Sequence, residues 1–182
     1  MRNPFQTKNL SFLVLFFSTL ISGVNAQSNS IVVVDAGYFQ KQEVIESLPE
    51  GFATVELNQT ANPWKLVRQY LEQNQSAKVI HLFANTSFNS IQLGGITYDA
   101  KEIEKEFELS MLEGLYQGTN IQLLIYDCNL GSNAEGLSLI KKIGDQSYFN
   151  VAVPTNCNSI FDSNLEFDHT TINQPISSSI FK

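Results

Sequence analysis

The sequence predicts an α/β domain, doubly wound, with a mainly parallel sheet of five to six strands and helices on both faces. Three observations predict it. Short β-branched or apolar runs recur along the chain, segments with apolar residues at helical spacing lie between them, and turn or cap signals separate the two. Strands separated by helices need crossover connections, which are right-handed in nearly all cases and leave a parallel sheet covered on both sides.

Ahead of this pattern, Arg2 and Lys8 precede an apolar run from Leu10 to Ile21, and the small, polar stretch Ser22 to Ala26 follows. That is the layout of a secretory signal peptide over residues 1–26, with Val24 and Ala26 placing cleavage after Ala26. The apolar run is about a dozen residues long, whereas a helix needs roughly 20 to cross a bilayer. Position 27 is Gln rather than Cys, so no lipoprotein anchor is expected. Residues 27–182 are expected to form one secreted or periplasmic domain, with no membrane insertion after the signal is removed.

The elements follow in order. Ile31 to Val34 is a continuous β-branched run, read as a buried parallel strand, and Asp35-Ala36-Gly37 turns the chain toward a short helix near Lys41 to Ser47. Ala53 to Leu57 is the second strand. Asn62-Pro63 combines a cap with proline at the first helical position, and Leu66, Val67, Tyr70 and Leu71 recur at helical spacing. Lys78 to Ala84 is the third strand, and Ser90 to Thr97 reads as a hairpin turning at Gly94-Gly95. Asp99 with Glu102 forms a capping-box pattern ahead of a helix expected to carry Ile103, Phe107 and Met111 on one face. Ile121 to Tyr126 is the fourth strand. A helix from about Asn133 should face inward with Leu137 and Ile140, and Lys141-Lys142 before Gly144 reads as its stop signal. Phe149 to Val153 is the fifth strand. The polar tail from about residue 158 reads as loop, with a short strand near Leu165 to Phe167.

Composition narrows the function. The chain carries 11 basic and 18 acidic residues, a net charge of −7. Loss of the signal removes two basic residues and no acidic ones, leaving about −9. Nucleic acid and anionic membranes are therefore poor partners, since their phosphates would be repelled. Two cysteines, Cys128 and Cys157, are too few for a disulfide scaffold, although two thiols in an oxidising compartment can pair. Two Cys and two His without short paired spacings exclude a structural zinc pattern, and no metal or other cofactor is expected.

In an open α/β sheet the site lies outside the carboxyl ends of the strands. That rule directs attention to Asp35, Asn85 with Thr86, Asp127 with Cys128, and the stretch Pro154 to Cys157 that includes Thr155.

Several of these residues carry a resemblance. Ile80-His81-Leu82-Phe83-Ala84-Asn85-Thr86-Ser87, Ile91-Gln92-Leu93-Gly94, Leu123-Leu124-Ile125-Tyr126-Asp127-Cys128 with Gly131 and Gly136, Val151-Ala152-Val153 and Asn164-Leu165-Glu166 resemble short segments of a bacterial domain-of-unknown-function family. That family occurs in large repeat-containing surface proteins and is itself similar to the caspase and gingipain type of cysteine peptidase. The resemblance implies a caspase-like sheet in which a His-Gly pair ends the third strand and a Cys ends the fourth. Here the His-Gly pair falls on Asn85-Thr86, and the Gly before the Cys falls on Asp127, so Cys128 alone survives from the dyad.

The departure bears on chemistry. A free thiol with a pKa near 8.5 is only slightly ionised at neutral pH, so an imidazole must take its proton and later return it. The Asn85 amide does neither, and general acid–base help worth about 10²- to 10⁴-fold is lost. Asp127 beside the thiol would disfavour the thiolate. His81 sits four residues upstream on the same strand, roughly 13 Å from Asn85 at the usual rise, and is expected to be a core histidine. His169, in the tail beside Asp168, is the alternative base if the tail folds back over Cys128. Asp35, Asp127 and Asp162 are conceivable acid groups but lack metal-ligand spacing. The sequons at Asn58 and Asn85 matter only in a glycosylating host.

Cys128 has three readings: nucleophile, small buried hydrophobe, or partner of Cys157 in a disulfide. The last follows if the fourth and fifth strands are neighbours, as the resemblance implies. Three functions follow in turn. The first is an exported, non-catalytic pseudo-peptidase that binds a protein or peptide or serves as a structural module. The second is a cysteine peptidase with a non-standard base. The third is a carboxylate-based hydrolase or ligand-binding protein on a similar sheet.

Overall fold

The computed structural model describes residues 29–59 and 61–181; the apolar segment Leu10 to Ile21 and the cleavage position after Ala26 lie outside the described residues. Along the chain run β1 (Ser30–Asp35), α1 (Lys41–Ser47), β2 (Ala53–Leu57), α2 (Pro63–Gln73) and β3 (Val79–Phe83). A small antiparallel sheet follows, made of β4 (Asn85–Thr86), β5 (Ile91–Leu93) and β6 (Ile96–Tyr98). Then come α3 (Ala100–Lys105), α4 (Phe107–Tyr116), β7 (Gln122–Ile125), a 3-10 turn (Leu130–Ser132), α5 (Ala134–Ser147), β8 (Asn150–Val153) and β9 (His169–Thr170).

The main sheet has six strands in the order β2-β1-β3-β7-β8-β9, all parallel except β9, which runs antiparallel to β8. It is a mixed α/β domain of the doubly wound class. The order reverses at β1: the chain steps outward to β2 and then crosses back over β1 to β3. Right-handed crossovers therefore put α1 on one face and α2 to α5 on the other.

Register shows how the two faces fill. Ile31, Ile80, Leu123 and Val151 stand in one row across β1, β3, β7 and β8, and their neighbours Val32, His81, Leu124 and Ala152 form the next. Successive strand residues face opposite sides. The first row packs under Trp64, Val67 and Leu71 of α2, Leu109 and Leu112 of α4, and Leu139, Ile140 and Ile143 of α5. The second face has one helix residue, Val44 of α1, and is otherwise roofed by the tail through Ile160, Leu165, Phe167, Ile180 and Phe181.

Three expectations need correction. The helix after Asp99 is broken at Glu106, whose extended backbone (φ −76°, ψ 100°) starts a new helix and whose side chain accepts the Glu108 N–H at 3.0 Å. The break resets the rotation, so Leu109 and Leu112 face inward while Phe107 and Met111 are exposed. Gly144 does not stop α5, which continues to Ser147 and ends at Tyr148 in the left-handed region (φ 59°). Gly144 is instead a contact position, because a Cβ there would lie 2.8 Å from Thr171 Oγ1. The tail strand falls at His169–Thr170 rather than Leu165 to Phe167, since the latter pair turns inward as core.

Candidate functional site

The strand order puts its reversal between β1 and β3, where crevices form outside the carboxyl ends of such sheets. A cleft of about 400 Å³ lies there, bounded by the loop after β1, by the ends of β3 and β7, and by the segment Asn158 to Ile160. Tyr38, Phe39, Asn85, Asp127, Cys128 and Asn129 are among its lining residues.

Each expected site residue can be placed. Asp35 closes β1 and is buried; its carboxylate accepts the Gly37 N–H at 2.8 Å and the Gly94 N–H at 2.5 Å. It ties the β5–β6 hairpin to the end of β1, and a carboxylate so engaged is a structural group. Asn85 makes a two-point clamp on the same loop: its Nδ2 donates to the Gly37 carbonyl at 2.8 Å, and its Oδ1 accepts the Phe39 N–H at 3.2 Å. Thr86 donates its hydroxyl to Asp127 Oδ2 at 2.6 Å. Asp127 Oδ1 accepts from the N–H groups of Asn129 (2.9 Å) and Leu130, so this carboxylate caps the 3-10 turn. Both of its oxygens are engaged.

Cys128 and Cys157 are joined in a disulfide with Cα atoms 5.2 Å apart, which links the end of β7 to the loop after β8 across the cleft wall. Asn85 and Cys128 do line one cleft. His169 is elsewhere. It pairs with Val153 on the edge strand and faces a shallow hollow with Ala134, Leu137, Ser138 and Lys141. Thr155 is held by Asp168 through both its N–H (2.6 Å) and its hydroxyl. Burial alone would raise the Asp168 carboxyl; the Thr155 hydrogen bonds outweigh it and hold the group below its ordinary range. Asp162 accepts the Asn164 N–H at 2.9 Å and shapes a local turn. Among the described residues no cluster of His, Cys, Asp and Glu could hold a metal ion.

The cleft also has residues that the sequence reading passed over. Tyr38 donates its hydroxyl to Gln40 Oε1 at 3.2 Å; burial, the Asp127 charge and the Glu43 charge push its pKa far up, so the phenol keeps its proton. Phe39, its ring 5.1 Å from that of Tyr38, is 79% exposed at the rim. Asn158 and Ser159 complete the opposite wall. The available signal was two adjacent aromatics directly after Asp35-Ala36-Gly37, of which Tyr38 turns into the core of the second face and Phe39 is left in solvent.

Chemically, the thiol is bonded, the two carboxylates are held by backbone N–H groups, and the hydroxyl and amide groups of Thr86 and Asn85 point into structural contacts. What the cleft offers is an exposed aromatic ring beside polar side chains, the engaged Asp127 carboxylate among them. No curated protein and no solved structure matches the chain. Residues 31–177, nearly everything from β1 to the C-terminal segment, match the model of the domain of unknown function DUF4347, and the chain belongs to that family.

Proposed function

We propose that this domain is an exported, non-catalytic relative of the caspase type of cysteine peptidase, in which the strand-end cleft binds a peptide or a protein segment. One arrangement carries the reading. Asn85, at the position where those peptidases have their histidine, holds the loop that lifts Phe39 into solvent, opposite a Cys128 already bonded to Cys157. A group that would serve chemistry serves instead to present an apolar anchor. Exposed aromatics beside polar rims are the usual anchors of protein recognition. The disulfide also fits an oxidising compartment, in keeping with the signal-like residues 1–26.

Native alkylation with iodoacetamide, read by intact mass with and without reductant, tests the catalytic half of this reading. The expected result is no label before reduction, and no labelling by a peptidyl acyloxymethyl ketone either before or after it. Rapid labelling of Cys128 without reductant would restore the peptidase reading. A phage-displayed random peptide library tests the binding half: selected peptides should lose at least about tenfold in affinity on Phe39→Ala, the weight of one anchor residue. Peptides that bind Phe39→Ala as well as the wild type would reject the cleft as their site.

A further inference from the structure

One polar ring sits in the middle of the second face. His81 is the central residue of β3, in a row with Val32, Leu124 and Ala152, and is 2% exposed. Its Nδ1 meets the Tyr126 hydroxyl at 2.9 Å. That hydroxyl already accepts the Ile180 N–H and a bond from the Ser179 hydroxyl, so its own proton goes to Nδ1. Burial lowers the imidazole pKa to about 4 and keeps the ring neutral at neutral pH, so its one proton is on Nε2. Among the described residues, Nε2 donates to nothing.

Among the described residues, the side-chain polar atoms sealed in without a partner are Trp64 Nε1 and Asn150 Nδ2, so Nε2 is open, and it opens into a cavity of about 310 Å³. The cavity enters the second face between the tail and the loop that leads into β2. It lies at the amino ends of the strands, the opposite edge from the Phe39 cleft. Pro49 and Phe52 line it from the loop, the Phe52 ring 6.0 Å from the imidazole. Ser177 and Ser178 line it from the tail, and their hydroxyls have no hydrogen bond among the described residues. No charged side chain lines the cavity.

We propose that this cavity binds a neutral sugar ring, held by the Nε2–H of His81 and the hydroxyls of Ser177 and Ser178. The donor at the floor needs an acceptor oxygen. No cation is present to hold a carboxylate or a phosphate, and the chain's charge of −7 opposes one. Serine hydroxyls both give and take hydrogen bonds, which matches them to ligand hydroxyls that do the same. Phe52 and Pro49 supply an apolar wall for the C–H face of a pyranose. The volume is at the low end of small-molecule sites, roughly 300 to 1,000 Å³, which leaves room for one such ring. Holding the tail uses only Nδ1; the open donor beneath an uncharged, hydroxyl-lined hollow is left for a ligand.

The chain has two histidines, His81 and His169, so a long-range ¹H–¹⁵N spectrum of the imidazoles reads each separately. Titration with D-glucose, D-galactose, D-mannose and N-acetyl-D-glucosamine, each to about 50 mM, covers millimolar affinity. At least one should move the His81 Nε2 signal saturably and leave His169 in place. His81→Leu should weaken binding about tenfold or more, the weight of one or two hydrogen bonds. That variant also loses the Tyr126 contact, so Ser178→Phe guards against a folding artefact: position 178 is exposed, and the ring fills the cavity while the His81–Tyr126 pair stays. It should show the same loss with an unchanged melting temperature. Phe39→Ala should bind sugar as the wild type does, which keeps this test separate from the peptide reading. A disaccharide ending in the favoured ring supports a glycan terminus as the source if it binds tighter than the free sugar, and supports the free sugar if it is excluded. The proposal is overturned if none of the four sugars moves His81, if sodium acetate binds there more tightly than any of them, or if Ser178→Phe binds as before.

Discussion

The Nδ1 atom of His81 lies 2.9 Å from the Tyr126 hydroxyl, and the same hydroxyl accepts the backbone N–H of Ile180 at 2.9 Å. An imidazole and a phenol, both buried, thus hold the end of the C-terminal tail onto the second face of the sheet. The Phe52 ring stands edge-on to His81 at 6.0 Å. Burial takes His81 from 6.5 down to about 4 and takes Tyr126 up to about 12, so both are neutral over the whole physiological range.

Stability should follow His81 on the acid side. Its folded pKa is depressed, so the unfolded chain binds the extra proton between about 6.5 and about 4, and stability rises with pH across that window. The contribution is fully present above 6.5 and is lost as pH falls through 4, on the order of 3 kcal/mol in all. Urea midpoints measured at intervals from pH 7.5 to 3.5 read the slope. His81→Leu should be less stable at pH 7 but should flatten the curve between pH 6.5 and 4; an unchanged slope would assign it to other groups.

Removing the disulfide should cost stability without changing the fold. Cys128 and Cys157 are 29 residues apart, and closing a loop of that length is worth roughly 3 to 4 kcal/mol by the chain-entropy estimate. The Cys128→Ser, Cys157→Ser double variant should show that loss in a urea titration. The wild type under a reducing dithiol should shift by a similar amount, and a shift below about 1 kcal/mol in both would count against the bond as a structural staple.

Two glycines should respond in opposite directions to the same substitution. A Cβ at Gly136 would lie 1.9 Å from the Leu130 carbonyl oxygen, a backbone atom that cannot move alone, so Gly136→Ala should destabilise by about 3 kcal/mol. Gly114 faces open space in a helix, and Gly114→Ala should stabilise by about 1 kcal/mol. Paired thermal melts compare them directly.

Phe39 and Asn85 should separate binding from folding. Phe39 is largely solvent-exposed, so Phe39→Ala should change stability by no more than about 0.5 kcal/mol. Asn85→Ala removes both points of the loop clamp, at a cost of about 1 to 2 kcal/mol. Amide hydrogen exchange should then quicken at Phe39 while the β1 amides stay protected. Equal protection in wild type and Asn85→Ala would show that the loop is held by other contacts.

Much of the architecture could be read from local pattern. The β-branched run at Ile31, the Asn62-Pro63 cap and the Asp99 cap all act within a few residues, and the structure has each where the pattern puts it. The glycines at 131 and 136 were visible as part of a resemblance, and the structure supplies their reason: Pro154 and Leu130 carbonyls pass within 2.2 Å and 1.9 Å of where a Cβ would be. The errors arose where distant chain decides. Gly144 looked like a stop because nothing local announces that Thr171 will pack on it. Phe107 and Met111 looked inward because a helix break at Glu106 leaves the apolar count unchanged while rotating the face.

The site divides along the same line. Strand-end rules named Asp35, Asn85, Thr86, Asp127 and Cys128 from sequence alone, because a parallel sheet leaves its loops at a known edge. Only the tertiary structure could say which partners their polar atoms take: Asn85 a loop reached 46 and 48 residues away, Asp35 a hairpin glycine 59 residues on, Cys128 its thiol partner 29 residues on. Strand and helix periodicity is a property of neighbours along the chain, so sequence by itself determined the element order and the parallel sheet. Hydrogen bonds and side-chain packing across the cleft depend on segments joined only by folding, and those contacts decided which residues hold the structure and which face solvent.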